Sequence, residues 1–262
     1  MVRSRNIFLT YLLPILAVCG YLFMYVPIAV LVLFSFNKSD MPFDWTGFST
    51  KWYHALWAST DIWHALQNSL IVASTSVLLS VTISLFFVVY SPQTFLRRFF
   101  IMFYASLAIP EIVLAVGLLS LFSFLSIPLG LTTLIAGHTL IGLGYMVPIV
   151  HARYMDLDKR YMEASLDLGA SAGQTVRLVM IPLLMPSLVA GSLLVFVLSL
   201  DDFILSFFCS GGSSQTLPIY IFVAIRSGAT PMINALSTIL LVVTSLLVLI
   251  FSSLKVKKTE LL

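Results

Sequence analysis

The chain has 262 residues, of which 60% are apolar and 10% charged, against roughly 25% charged in a typical soluble domain. That balance excludes a soluble globular domain, a disordered chain, a coiled coil and a collagen-like fibre. Two cysteines cannot build a disulfide framework, and a net charge of +3 is too small to argue for nucleic acid as a partner.

Lys, Arg, Asp and Glu are missing from 6–37, 62–96, 178–200, 203–225 and 227–254, and between Arg98 and Arg153 the one exception is Glu111. A helix needs about 20 apolar residues to cross a bilayer core. Inside lipid the backbone must satisfy its own hydrogen bonds, so such runs read as helices. A β-barrel would show alternation in segments of about 10 residues instead. The expected fold class is an all-α membrane protein with six transmembrane helices, near 8–36, 66–90, 99–125, 131–150, 184–208 and 235–254. Ser91-Pro92 closes the second span, and Pro128 and Gly130 separate the third from the fourth. Pro182 and Pro186 bracket the start of the fifth, and Gly211-Gly212 and Pro231 mark the loop before the sixth.

Orientation follows from Lys and Arg, which concentrate on the cytoplasmic side. All but Lys38, Lys51 and Arg226 of the 14 basic residues fall on the side that holds both termini, so the chain is expected N-in and C-in. Arg3 and Arg5 before an apolar run imitate a signal peptide, and Leu16-Ala17-Val18-Cys19 a lipoprotein cleavage box. Val18 is not small and the apolar run continues to Phe36, so a retained span is expected.

The first external loop, 37–65, holds all four tryptophans, Trp45, Trp52, Trp57 and Trp63. It reads either as an interfacial aromatic belt or as a packed cap that docks a partner. The cytoplasmic loop 151–183 is the longest on its side. Residues 158–168 suit a short helix, Gly169 a left-handed stop, and Ser171 the cap of a second short helix ending near Val179. Gly169-Ala170-Ser171-Ala172-Gly173 fits G-x-S-x-G, but that elbow requires a strand before the serine and His and Asp partners. The simpler use of Ser171 is as a cap. No phosphate loop, H-E-x-x-H or C-x-x-C spacing occurs, so no metal site is expected, and ATP, if it drives transport, is bound by another subunit.

Glu163-Ala164-Ser165-x3-Gly169-x9-Val179-x-Ile181-Pro182 resembles E-A-A-x3-G-x9-I-x-L-P, the signature of the inner-membrane permease subunits of binding-protein-dependent ABC importers. Ser165 stands where the second alanine is usual. Gly47-Phe48-Ser49-Thr50-Lys51-Trp52-Tyr53, Ile109-Pro110-Glu111, Leu198-Ser199-Leu200-Asp201-Asp202-Phe203 and Leu217-Pro218-Ile219-Tyr220 are similar to the C-type permeases of spermidine/putrescine importers. The resemblance implies a type I importer permease fold in the bacterial inner membrane. It divides the chain into a peripheral helix with the Trp-rich loop (1–61), a transmembrane domain (62–254) and a cytoplasmic tail (255–262). It also implies that 163–182 couples to the ATPase and that Trp45, Trp52 and Tyr53 serve external docking. The implied partners are a B-type permease, two ATPase subunits, a periplasmic polyamine-binding protein and membrane lipid. No cofactor is implied in this chain, and no catalysis by it.

Three carboxylates fall within predicted spans. Glu111 is placed near mid-membrane, about 12 residues into span three at 1.5 Å each, and Asp201 and Asp202 lie late in span five. Such acids face a bundle interior or a watery cavity. With no basic residue at similar depth they suit a cationic cargo, and a polyamine adds ammonium groups for cation–π contact. Tyr104, on the helical face of Glu111 seven residues before it, and Phe203 are the candidate aromatics. Other readings stay open: Glu111 as a kink residue after Pro110, Asp201 or Asp202 as an inter-helix bridge, and His138 as a packed interior histidine or a proton relay. Gly137, Gly142 and Gly144 imply close helix packing. Alternative functions are an ABC permease for iron, thiamine or an organic anion, and a proton-coupled secondary transporter, which would favour internal repeats.

Overall fold

Backbone groups that leave water must be paired inside the chain, and this sequence pairs them almost wholly in helices. The computed structural model describes residues 7–41, 44–90, 93–228 and 231–259. Arg3, Arg5 and the Ser91-Pro92 breaker lie outside them. The described helices are α1 (Ile7–Phe34), α2 (Lys51–Ala58), α3 (Thr60–Tyr90), α4 (Gln93–Ala108), α5 (Glu111–Phe124) and α6 (Leu131–Met155). They continue with α7 (Arg160–Asp167), α8 (Ala172–Thr175), α9 (Ile181–Asp201), α10 (Ile204–Cys209), α11 (Leu217–Gly228) and α12 (Pro231–Thr259), and a π-helical segment, Val176–Met180, joins α8 to α9. Among the described residues the extended pairing is one isolated bridge between Asn37 and Phe48.

Among the described residues four stretches are long and apolar enough to cross a membrane: Leu12–Phe34, Thr60–Val89, Leu131–Met155 and Ala172–Asp201. A fifth exists if α4 and α5 count as one span. The third predicted span is therefore not one straight helix. It bends by 115° between Ala108 and Glu111, because Pro110 has no N–H to give to the carbonyl of Ser106 and its ring forces Ile109 out of the helical region. The fifth predicted span also needs correction. It starts at Ala172, absorbing the expected second loop helix, and stops at Asp201, with α10 following after a break. The π segment lies one turn before Pro182, which lacks the N–H that Leu178 would accept. A widened turn there lets the helix run through the proline.

The chain divides into two compact units, Met1–Ser59 with Val223–Leu262, and Thr60–Phe222. In the first, α12 packs on α1 and α2. Many large apolar side chains of α1 are exposed, Phe23 at 83%, a surface that calls for an apolar solvent. The second unit is built on α6, 61% of whose apolar window is buried, against 0% for α1. One apolar cluster joins the C-terminal half of α6 to α9 and α4 through Met146, Val150, Leu184 and Phe100. Another joins its N-terminal half to α5 and α10 through Leu134, Ala115, Phe122 and Leu205. Small residues set the α3–α6 approach. Ser76 and Ser80 of α3 donate to the carbonyls of Ile135 and Thr139 at 3.3 and 3.4 Å, and a Cβ added at Gly142 would lie 2.5 Å from Ser80 Oγ.

Candidate functional site

The two helix breaks meet at one cavity of about 420 Å³ in the second unit. Its walls include Ser106 and Leu107 from the last turn of α4, Glu111 from the start of α5, His138 from α6, and Ser199 and Asp201 from the end of α9. Asp202 and Phe203 line it too, and no Lys or Arg does. Each break presents one carbonyl-rich helix end and one N–H-rich end. The N–H-rich ends are each met by an acid of the chain. Glu111 is the first residue of α5, and Asp202 caps α10, its Oδ1 accepting from Leu205 N–H at 3.2 Å and its Oδ2 from Ser206 N–H at 2.9 Å. Ser106 and Leu107 at the end of α4 and Asp201 at the end of α9 line the space, and a helix C-terminus carries partial negative charge.

The three acids thus divide their work. Asp202 is a cap, with its side chain 7% exposed. Asp201, its neighbour, is exposed, as is Glu111. Glu111 and Asp202 line the same cavity. Phe203 lines the space and lies against Phe207 and Phe222, tilted by 39° to each, at centroid distances of 5.5 and 4.6 Å. Tyr104 is placed differently from expectation. It is half exposed on α4 and is not among the lining residues, because the 115° bend puts the two ends of the sequence step Tyr104–Glu111 on different helices.

His138 is buried, with Ser199 Oγ 2.8 Å from Nδ1 and Ser206 Oγ 3.1 Å from Nε2. Asp202 Oδ2 is 3.4 Å from Nε2. The order Ser–His–Asp imitates a hydrolytic triad. Ser199 lies inside α9, however, where backbone N–H groups serve the helix ladder and none is free to hold an oxyanion. Sequence reasoning missed Ser199 and Ser206, since partners 61 and 68 residues away leave no local signal.

On the loop 151–183, α7 carries Glu163, Ala164 and Ser165 and buries none of its residues. Gly169 takes a φ of +88°, as a left-handed stop requires. Ser171 and Gln174 form a reciprocal capping box at 2.8 and 3.3 Å. Ser165 Oγ lies 3.0 Å from Thr175 Oγ1, which ties α7 to α8. Val179 is in the π segment, and Ile181 and Pro182 open α9. Leu166 and Leu168 are 51% and 89% exposed. His151 is no partner for Ser171: its ring lies against Phe100, tilted by 40°, at a centroid distance of 3.7 Å.

In the first unit, buried Asn37 organises the loop. Its Nδ2 donates to the Asp44 carbonyl at 2.8 Å, its Oδ1 accepts from Ser39 N–H and Thr46 N–H, and its carbonyl accepts from Trp52 Nε1 at 2.8 Å. Tyr53 Oη lies 2.7 Å from Ser35 Oγ. Trp52 and Tyr53 are therefore engaged within the loop, while Trp45 is half exposed beside Phe34. The run Asn37-Lys38-Ser39 is an Asx-turn signal that sequence reading passed over.

Residues 77–256 match the family described as binding-protein-dependent transport system inner membrane component. The chain belongs to that family. The spermidine/putrescine transport system permease protein PotC of Escherichia coli (strain K12) is 38% identical to this permease over 232 residues, covering 87% of this chain and 88% of its own. The putrescine transport system permease protein PotI of the same strain is 31% identical over 237 residues, covering 87% and 84%. Among solved structures, a bacterial ABC transporter involved in the import of the acidic polysaccharide alginate matches with a TM-score of 0.72 at 13% identity, covering 98% of both chains. At that identity the likeness is one of fold. The loop segment Glu163–Gly169 lies inside the matched stretch.

Proposed function

We propose that this permease subunit imports polyamines such as spermidine and putrescine, and forms half of a transmembrane path in the bacterial inner membrane. The observation that carries the cargo is the cavity: carboxylates, two carbonyl-rich helix ends and Phe203, with no basic side chain among its lining residues. A protonated polyamine offers ammonium groups to the carboxylates and carbonyls, and its cations can sit over an aromatic face. An anionic cargo would meet repulsion from the same walls. The relatives whose names include spermidine and putrescine support this reading.

Six spans, with both termini in the cytoplasm, place loop 151–183 on the ATPase side. There α7 offers Glu163 with exposed Leu166 and Leu168 to a groove of a cytoplasmic ATPase. Val179, Ile181 and Pro182 continue the segment directly into α9, so closure of the ATPase pair is transmitted to the break at Asp202. The chain hydrolyses no ATP itself; two ATPase subunits do. A second, B-type permease completes the path, and a periplasmic polyamine-binding protein delivers cargo to the external side, where Trp45 is presented. The division into 1–61, 62–254 and 255–262 assigns the path to the middle part.

The test is ATP-dependent uptake of labelled spermidine and putrescine by the complete complex in proteoliposomes. Asp201→Asn is expected to lower uptake at least about tenfold, as the loss of one charge-assisted contact predicts, with assembly and ATPase activity retained. A wild-type complex that couples hydrolysis to another solute and never to polyamines overturns the cargo.

A further inference from the structure

His138 is buried in the N-terminal half of α6, yet both its ring nitrogens are engaged by polar groups of the α9–α10 break. The hydrogen-bond network assigns its tautomer. Ser199 O–H donates to Nδ1, which leaves Nε2–H to donate to Ser206 Oγ, while Ser206 O–H donates to Asp202 Oδ2 at 3.2 Å. In this arrangement each polar hydrogen has an acceptor. Asp202 takes donors from Leu205 N–H, Ser206 N–H and Ser206 O–H, and the Ser206 hydroxyl links it to His138 Nε2, 3.4 Å away. At a break the ladder no longer fixes the backbone, so the direction of the chain is set by such side-chain contacts.

We propose that His138 is a positioning residue for the cargo cation: its Nε2–H, through the Ser206 hydroxyl, holds the Asp202 cap at the α9–α10 break and thereby fixes where Asp201 stands in the cavity. Asp201 is the residue adjacent to that cap and lines the cavity with Glu111. The inference rests on the cation-path reading above, and its test is chosen to separate the two.

Glutamine carries its amide nitrogen near the position of Nε2, and asparagine near that of Nδ1. His138→Gln therefore keeps the donor toward Ser206 Oγ and His138→Asn removes it. In a complete complex carrying Cys19→Ser, Cys209→Ala and Asp201→Cys, the rate at which a cationic methanethiosulfonate reagent modifies the introduced thiol reports its position in the cavity. His138→Asn is expected to change that rate at least about tenfold and His138→Gln by no more than about twofold, the sensitivity that placement by about 1 Å confers. In complexes that retain Asp201, His138→Asn should raise the KM for spermidine with ATPase activity retained, and His138→Gln should restore it. Ser206→Ala, which deletes the hydroxyl between Nε2 and Oδ2, should act like His138→Asn and serves if that variant does not assemble. Equal labelling rates and equal KM across all three variants overturn the proposal. Labelling does not depend on the cargo, so it still decides the role of His138 if the wild-type complex carries no polyamine.

Discussion

Asp201 and Asp202 are neighbours with identical chemistry, and their surroundings separate them. Adjacent helical positions point about 100° apart, and α9 ends between the two. Asp202 is turned into the cap of α10 and Asp201 is left exposed at the cavity. Their charge inside a membrane was legible in the sequence; which of them is committed to a cap was not. At the same scale, the glycines of α6 were read correctly as packing residues. A Cβ at Gly142 would meet Ser80 Oγ at 2.5 Å and Val195 Cγ1 at 2.9 Å, and one at Gly144 would meet Ser106 Oγ at 2.5 Å. Gly142→Ala is expected to destabilise the complex by about 1–3 kcal/mol, as overpacking does. Ser80→Ala in the same chain should recover part of the loss, giving a double-mutant cycle that is not additive. Thermal unfolding of the detergent-solubilised complex measures it, and an additive cycle would show that the collision lies elsewhere.

Two elements break inside runs that the sequence reads as continuous spans. At Ile109–Pro110 the signal was present, because proline removes a donor and restricts its predecessor. Its size was not, since a proline inside a helix can also give a mild kink, as α1 tolerates Pro14 and Pro27 without ending. At Asp202–Phe203 no breaker stands in the sequence; the break is held by the Asp202 cap and by His138. Pro110→Ala supplies an N–H for the Ser106 carbonyl and lets α4 extend toward α5. Polyamine uptake should then fall at least about tenfold, because α4 no longer ends at the cavity. Uptake at the wild-type rate would show that the α4 break is not part of the path. The coupling segment behaves otherwise. Gly169 and Ser171 are local signals, and they are used locally as expected. The second helix nevertheless fails to stop, because the π segment carries it past Pro182.

The whole molecule exposes apolar surface that only lipid or partner subunits can cover, on α1 above all. The family match accounts for both. The proposed arrangement of six spans with both termini cytoplasmic predicts that single cysteines placed at residue 160 and in the 255–262 tail are protected from an impermeant thiol reagent added outside intact cells. One at residue 40 should be labelled. Labelling of 160 and 40 from the same side would overturn the arrangement, and with it the assignment of α7 to the ATPase.

By itself the sequence determined the solvent, the helical class and the family. Those rest on composition and on short-range patterns such as Glu163–Pro182, which act within a few turns of chain. Only the tertiary structure decided the site. Tyr104 left it because a 115° bend intervenes. Ser199 and Ser206 entered it because helices distant in sequence converge on His138. A cavity is a property of where helix ends meet, and in a chain whose apolar face is nearly continuous, periodicity carries too little contrast to say which ends those are.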